Sequence, residues 1–302
     1  MLFRSISAGV FVPKPDPARL TFEEAVDLFN DDLRLRDMRT ETVEAYRLVF
    51  ENFKASFAKR YLDQIERRDL LHFAQSMRKA GLAPRTVSNR YLAFSAFLKH
   101  HGITGMMRKG DAPKFVEAEP EAYTKEEVTA FLAACTPDQL LLFESLLKTG
   151  ARMQEAMYCT WADFDFKEKT FSVRAKSEHD FRPKSWEERT LPLEEGLSAK
   201  LQARQSVLKR SGLVFPTRNG KPNNKMLQAC KRIAKRAGLD DSQFWLHKFR
   251  STFCTWHADA GVPIPTIQLW MGHKDMATTM RYLRPNRSAE ARAKFNATFT
   301  GL

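Results

Sequence analysis

Residues 246–253 read LHKFRSTF, and they lie within a segment, 245–260, whose apolar spacing predicts a helix. His247 and Arg250 are three residues apart, so they share one face of that helix. Such a pair can hold a phosphate from two directions, because a guanidinium offers a planar fork of donors. Taken alone, the pair fits equally well a histidine at a helix start beside a solvated arginine.

Three further clusters contain residues of possible catalytic value. Arg152 and Glu155 share a helical face, although an ordinary surface ion pair would have the same spacing. The pair Gly272-His273 follows an apolar run and would put an imidazole at a helix end. The chain has six tyrosines, so their number gives no reason to single out Tyr282. The three stretches are TGARMQE (149–155), LWMGHKD (269–275) and TTMRYL (278–283).

The order and spacing of these clusters are more specific than any one of them. Arg250 follows His247 by 3 residues, His273 follows Arg250 by 23, and Tyr282 follows His273 by 9. The ordered set Arg…His-x-x-Arg…Gly-His…Tyr resembles the signature of the tyrosine recombinase (phage integrase) family, over about residues 21–285. The resemblance implies a site-specific recombinase or integrase that cuts and rejoins DNA through a 3′-phosphotyrosyl bond and a Holliday junction.

The resemblance also implies a role for each residue. Two arginines would clamp the non-bridging phosphate oxygens, two histidines would donate hydrogen bonds or move protons, and a tyrosine would attack phosphorus. Glu155 would support the site by hydrogen bonding. The two arginines are Arg152 and Arg250, the two histidines are His247 and His273, and the tyrosine is Tyr282.

The family's remaining catalytic residue is a lysine on a β-hairpin, which would protonate the departing 5′ oxygen. Lys184 and Lys176 are both candidates. The stretch KSWEERTLPL, residues 184–193, resembles the family's lysine, turn and exit strand more closely, which favours Lys184. Lys176 is expected on the polar face of the preceding strand, together with Arg174.

The expected fold is mainly α, as in the family's DNA breaking-rejoining enzymes. A chain of 302 residues suits two domains. We expect an extension over 1–17, a helical core-binding (SAM-like) domain over 18–104, a linker over 105–121, and a catalytic domain with a tail helix over 122–302. Gly105, Gly110, Pro113 and Pro120 mark the linker.

Helical periodicity defines both domains. The first predicts helices over about 21–35, 40–59, 68–79 and 84–102, and in the fourth Val87, Tyr91, Phe94 and Leu98 share one face. The second predicts helices that flank a small antiparallel sheet, whose strands alternate over 171–176 and pair with 189–193. Its helices are expected from Thr124, over 138–159 with a break at Thr149-Gly150, and over about 194–209, 223–237, 245–260, 263–271 and 288–298.

The charge is compatible with a DNA partner. The chain has 49 Lys+Arg against 36 Asp+Glu, a net charge of +13. The excess is shared, with +6 over residues 1–110 and +7 over the remainder, as expected of a chain that holds duplex DNA from two sides. A solvated charged face explains the individual side chains nearly as well. The DNA-binding candidates are Arg85, Asn89 and Arg90 in the first domain and Lys231, Arg232, Lys235 and Arg236 in the second.

No metal or other cofactor is expected. The sequence has no P-loop pattern and no metal-ligand spacing, and its four cysteines fit reduced thiols of a cytosolic protein. We expect a cytoplasmic protein that is nucleoid-associated in a bacterial cell. No apolar run approaches the length of a membrane span. The resemblance implies a homotetramer on double-stranded recombination sites, with possible accessory DNA-bending or directionality proteins.

Two alternatives stay open at this point. A type IB topoisomerase would use a similar site as a monomer to relax supercoils. A catalytically inactive relative would bind DNA without cutting it, although the full residue set argues against that alternative.

Overall fold

The computed structural model describes residues 19–56, 59–108, 110–184, 187–207, 212–282, 293, 295–297 and 300. Within these residues the protein is mainly helical with one small antiparallel sheet, so the predicted fold class is confirmed. The chain divides into two compact units, Met1–Glu117 and Ala118–Leu302. That division lies within residues 105–121, for which the sequence predicts a linker.

The first unit contains four α-helices among its described residues. They are α1 (Phe22–Leu35), α2 (Thr40–Ser56), α3 (Arg67–Lys79) and α4 (Pro84–His100). The side chain of Thr21 accepts the Glu24 N–H at 3.2 Å while the Glu24 carboxylate accepts the Thr21 N–H at 2.9 Å, so two N–H groups at the start of α1 are satisfied. Lys59 is not helical, so α2 is shorter than predicted.

An apolar stripe on α4 forms the centre of the first unit's core. Val87, Tyr91, Phe94 and Leu98 are each at most 2% exposed, as their spacing predicts. The Phe53 ring of α2 stacks on Phe94 with ring centroids 3.9 Å apart. Aromatic side chains bury large areas, so this stacking holds the two helices together.

The chain after α4 stays in contact with the first unit for about ten residues. Asp111 accepts two hydrogen bonds from Arg67 of α3, at 2.8 and 2.6 Å. Ile103 and Met106 pack against the core of the same unit. The beginning of the predicted linker is therefore anchored to the first unit.

The second unit contains eight α-helices among its described residues, and they surround the sheet. The helices are α5 (Lys125–Ala133), α6 (Pro137–Thr149), α7 (Met153–Met157), α8 (Glu195–Val207), α9 (Met226–Arg236), α10 (Leu246–Asp259), α11 (Ile264–Met271) and α12 (Met276–Met280). The predicted break at Thr149-Gly150 separates α6 from α7. The short α12 is not among the predicted helices.

Three strands form the sheet, in the order β1 (Phe164–Asp165), β2 (Thr170–Val173) and β3 (Arg189–Pro192). Phe171 of β2 lies opposite Leu191 of β3, and both side chains face the core. β2 ends at Val173, so the predicted alternation through Lys176 is wrong. Lys176 is consequently 8% exposed rather than on a polar face.

The predicted tail helix over 288–298 falls largely outside the described residues. Of that stretch, residues 293 and 295–297 are described as helical, and the Phe295 side chain is exposed. The extent of the tail helix therefore stays a prediction.

Gly150 ends α6 in a backbone conformation that other residues rarely adopt. Its φ is +61°, and a Cβ there would lie 2.8 Å from Cδ1 of Phe253 on α10. The same residue offers its carbonyl oxygen to the side chain of Arg250. Only glycine gives both the left-handed turn and the close approach of α6 to α10.

We expect Gly150→Ala to lower the free energy of unfolding of the second unit. The matched control is Gly238→Ala, because Gly238 also has a positive φ (+73°) but a Cβ there meets nothing within 4 Å. Both variants introduce left-handed strain, whereas only Gly150→Ala adds an overlap that costs about 1–3 kcal/mol more. All five tryptophans lie in the second unit, so denaturation followed by tryptophan fluorescence reports on that unit. Equal destabilisation by the two variants would contradict the packing argument.

Candidate active site

Five of the six predicted catalytic residues lie at the ends of four helices of the second unit. Arg152 is the residue before α7, and His247 and Arg250 lie in the first turns of α10. His273 follows the left-handed glycine that ends α11, and Tyr282 lies just after α12. Hydrogen bonds and ring contacts connect these positions, although they are up to 130 residues apart in sequence.

Arg250 is the most deeply buried of these residues, with 1% of its surface exposed. Its Nη1 donates to the Gly150 carbonyl at 2.6 Å and its Nη2 donates to the Met271 carbonyl. Its Nε has no hydrogen-bond partner among the described residues. Burial, followed by the charge of Arg152, lowers the pKa of Arg250 to about 9. A guanidinium stays charged at neutral pH, so the site is electrostatically suited to an anion.

Glu155 holds Arg152 in place. The Glu155 carboxylate accepts Nη1 of Arg152 at 2.7 Å and the Arg152 backbone N–H at 2.8 Å. It also accepts two bonds from Arg189 of β3, at 3.0 and 2.6 Å. Burial opposes ionisation, but the bonds and charge of Arg189 and the charges of Arg152 and Arg250 outweigh it and lower the pKa of Glu155 to about 2. Glu155 is therefore an anionic anchor and not a proton donor at neutral pH.

Both histidines are kept neutral by their surroundings. Burial, followed by the charges of Arg250, Arg152 and Arg189, lowers the pKa of His273 to about 3. His247 lies at the surface, yet desolvation by its neighbours, followed by the charges of Arg250, Arg152 and Lys184, also lowers its pKa. Nδ1 of His273 is 2.9 Å from the Thr279 hydroxyl, which leaves Nε2 for another partner.

Tyr282 packs into the same site. It is 8% exposed, and its ring lies nearly parallel to that of His273, with centroids 6.1 Å apart and planes 10° apart. Its backbone N–H donates to the Thr279 carbonyl at 3.0 Å. Tyr282 is near enough to Arg250 that its ionised form would raise the pKa of that guanidinium, so the phenol and the buried guanidinium lie close together within one unit.

The two candidate lysines have different environments. Lys176 is buried and forms an ion pair with Asp163, whose side chain is 3% exposed. Lys184 is exposed, and its charge contributes to the lowered pKa of His247. Lys176 is therefore occupied within the fold, whereas Lys184 faces the surface near a predicted catalytic histidine.

Comparison with known proteins agrees with the resemblance. Residues 121–289 match the model of the phage integrase family, which is more than half of the chain. The chain belongs to the phage integrase family. Tyrosine recombinase XerA of Thermococcus kodakarensis is 25% identical over 288 residues, which cover 90% of this chain and 95% of that protein. Tyrosine recombinase XerD of Listeria innocua is 26% identical over 279 residues, which cover 85% and 93%.

Solved integrase structures have the same fold. A complex of the Tn1549 transposon integrase with a circular intermediate DNA gives a TM-score of 0.74 at 20% identity, covering 90% of this chain and 99% of that one. A lambda integrase tetramer bound to a Holliday junction gives 0.67 at 14% identity, covering 88% and 78%. At such low identity these likenesses show the fold alone.

The predicted DNA-binding residues differ in their exposure and in their contacts with other side chains of the protein. Arg85 and Asn89 are exposed on α4, and Arg90 is partly exposed. The Arg85 guanidinium lies over the Phe115 ring, 5.5 Å from its centroid. That contact fixes the direction of Arg85 along the surface of the first unit.

On α9, all four predicted basic residues are exposed, but one of them is engaged by other groups of the second unit. Lys231, Arg232 and Lys235 lie opposite the buried face that contains Cys230. Arg236 instead donates from Nε to the Ala134 carbonyl at 2.8 Å and from Nη2 to the Gln139 side chain at 2.9 Å. Its guanidinium therefore braces the turn between α5 and α6.

The second unit contains further residues that the sequence motifs did not indicate. Residues 196–239 contain eleven Lys and Arg and no Asp or Glu, a signal that could have added the exposed Arg218, Lys221 and Lys225 to the DNA-binding candidates. Arg189 was also missed. Strand alternation puts Arg189 on the same side of β3 as the buried Leu191, and a charged residue on a core face is a signal of a specific partner.

Within the described part of the chain, no group of three or more His, Cys, Asp or Glu side chains could hold a metal ion. Among the same residues, none of the helices combines the length and apolar character that a membrane span needs.

Proposed function

We propose that this protein is a site-specific recombinase that cuts and rejoins DNA through a 3′-phosphotyrosyl intermediate at Tyr282 and a Holliday junction. The observation on which this rests is that the buried Tyr282 lies against His273, close to the buried guanidinium of Arg250. The Tyr282 ring stacks on His273, and both residues lie with Arg250 in the unit that contains Arg152.

The chemistry requires positive charge at the phosphate. Negative charge on the non-bridging oxygens develops further as a nucleophile approaches phosphorus, and fixed donors stabilise it. Arg152 and Arg250 would supply these donors. Arg250 has a free Nε among the described residues, and Arg152 is fixed by Glu155, so little reorganisation is needed when DNA binds.

The proton transfers follow from the environments of the side chains. The Tyr282 oxygen bonds to phosphorus, the bond from phosphorus to the 5′ oxygen breaks, and Lys184 donates a proton to that oxygen. The proton of the phenol goes to a neutral imidazole, for which His273 and His247 are suited by their lowered pKa values. The phosphotyrosine keeps the bond energy, so the scheme uses neither ATP nor a metal ion.

DNA would be held by both units. The exposed faces of α4 and α9 provide Arg85, Asn89 and Arg90, and Lys231, Arg232 and Lys235. The acid-free run over 196–239 supports the second of these surfaces. We propose a homotetramer on two double-stranded sites, a proposal supported by the lambda integrase tetramer on a Holliday junction. Accessory DNA-bending or directionality proteins stay a prediction.

The two alternatives are distinguished by activity. A type IB topoisomerase would relax one supercoiled plasmid without a second site, whereas a recombinase exchanges strands between paired sites. An inactive relative would bind DNA and form no covalent bond. The similarity to XerA and XerD, over most of each protein, favours the recombinase.

We expect the wild-type protein to become covalently attached to a nicked suicide DNA, because loss of the short 5′ fragment prevents rejoining. Tyr282→Phe keeps the ring that stacks on His273 but removes the nucleophile, and it should give no attachment at all. Tyr46→Phe, in the first unit, is the matched control and should react like the wild type. Attachment is measured as a shifted band on a denaturing gel. Undiminished trapping by Tyr282→Phe would refute the assigned nucleophile.

We expect Lys184→Ala to slow cleavage by about 10²–10⁴-fold, because the 5′ oxygen then leaves without an acid. A substrate with sulfur in place of that oxygen should restore the rate, since a thiolate leaves without a proton.

Lys176→Ala is the comparison variant for this measurement. It leaves the Asp163 carboxylate buried without its cation, so it should lower the melting temperature of the second unit. Its cleavage defect should be the same with oxygen and with sulfur. Sulfur rescue of Lys176→Ala, but not of Lys184→Ala, would reverse the assignment.

We expect the double substitution Lys231→Gln/Lys235→Gln to weaken DNA binding and to reduce the salt dependence of the affinity, by about one unit of slope for each lost phosphate contact. The measurement is fluorescence anisotropy of labelled duplex over a series of salt concentrations. Lys148→Gln is the control, because Lys148 is paired with Glu194 at 2.7 Å, and its slope should match the wild type. An unchanged slope in the double variant would remove α9 from the DNA surface.

A further inference from the structure

Arg189 has no assigned role, yet all three nitrogens of its guanidinium are occupied. Nη1 and Nη2 donate to the two oxygens of Glu155, at 3.0 and 2.6 Å, and Nε donates to the Trp270 carbonyl at 2.7 Å. The side chain is 7% exposed. Because it is buried and fully engaged, Arg189 is not available to contact DNA directly.

The partners of Arg189 belong to separate elements. Arg189 begins β3, five residues after Lys184 in the same hairpin. Through Glu155 it reaches α7 and the bound Arg152. Through the Trp270 carbonyl it reaches the last turn of α11, just before His273. One side chain thus joins the elements that present three of the proposed catalytic groups.

The end of α11 is shaped around this arginine. Gly272 has a φ of +58°, and a Cβ there would lie 3.0 Å from Cδ of Arg189. Gly272 therefore allows the chain to turn directly over the arginine side chain just before His273. The close fit makes the direction of His273 sensitive to what occupies position 189.

Arg189 also balances charge. Glu155 is the carboxylate that Arg152 and Arg189 share, and each arginine donates to both of its oxygens. The Glu155 carboxylate is only 4% exposed. Without Arg189, Arg152 would be the one remaining arginine of the two that donates hydrogen bonds to it. Glu155 would then draw Arg152 towards itself and away from the phosphate position.

We propose that Arg189 is a positioning residue for DNA cleavage, which fixes Arg152 and the His273 turn relative to the hairpin of Lys184. This inference rests on the proposed function. A lysine at position 189 keeps the charge, but its donors sit on one nitrogen, so it cannot reproduce the contacts that three separate nitrogens of Arg189 make to Glu155 and the Trp270 carbonyl. Arg189→Lys therefore separates the geometry of the site from its charge.

We expect Arg189→Lys to form the covalent complex on suicide DNA about 100-fold more slowly than the wild type at saturating protein, with unchanged DNA affinity. Displacement of groups that touch the phosphate slows the chemical step, whereas the DNA-binding surfaces are unaltered. Arg174→Lys is the matched control and should react like the wild type. Arg174 follows β2 in the same hairpin, is exposed, and donates from Nη1 to the Ala162 carbonyl at 3.1 Å.

A second measurement does not require DNA. Arg189 is one of the cations that lower the pKa of His273 to about 3. Removing a neighbouring cation makes the imidazolium less unfavourable, so the pKa of His273 should rise in Arg189→Met and less in Arg189→Lys. In these variants the groups that still lower the pKa of His273 are Arg250, Arg152 and His247. Titration of the His273 ring protons by NMR measures this shift, and a residue that contributes only to global stability would leave it unchanged.

The outcomes distinguish the inference from the function on which it rests. If the wild type forms no covalent complex, the proposed function fails and the His273 titration still tests Arg189. If the wild type reacts and a folded Arg189→Lys reacts equally fast, with unchanged His273 signals, the inference is overturned. Should Arg189→Met fail to fold, Arg189→Lys and the neutral pair Glu155→Gln/Arg189→Gln, which keeps hydrogen bonds without charge, provide the same comparison.

Discussion

The organisation of the second unit depends on an excess of positive charge that is largely buried. Arg152, Arg189 and Arg250 surround a single carboxylate, Glu155. Burial and mutual repulsion oppose this arrangement, as the lowered pKa of Arg250 indicates. Backbone carbonyl oxygens at helix ends, from Gly150 and Met271, supply the partial negative charge that holds Arg250. The phosphate of DNA would supply the anion that balances the remaining charge.

That charge also defines the state of the neighbouring groups. Cations on several sides lower the pKa of His273 and of His247, so both imidazoles are neutral at neutral pH. A neutral imidazole can accept a proton, so the same field that favours phosphate binding prepares the site for proton transfer. The fold therefore couples the affinity for an anion to the protonation of the side chains around it.

The glycines at helix ends make this convergence possible. Gly150 lets α6 end against Phe253, and Gly272 lets α11 end over Arg189. Each is followed within two residues by a proposed catalytic group, Arg152 or His273. Because these groups lie at helix ends rather than in the middle of helices, side chains distant in sequence can reach one small volume.

The sequence by itself determined the helical periods, the apolar stripe of α4 and the order of the family motifs. These properties depend on neighbours within a few residues, which the sequence displays directly. It also favoured Lys184 over Lys176, although it placed Lys176 on the wrong face, because the end of β2 at Val173 depends on pairing with β3. For the same reason, the sequence did not indicate that Arg236 hydrogen-bonds to the turn between α5 and α6. Only the tertiary structure decided which side chains share a partner, since nothing in the spacing of residues 155, 189 and 270 indicates that Arg189 joins them. Hydrogen bonds between distant elements depend on how the elements pack, and packing is a property of the whole fold. The sequence alone thus indicated the residue types of the site, whereas the electrostatic coupling between them depends on the three-dimensional fold.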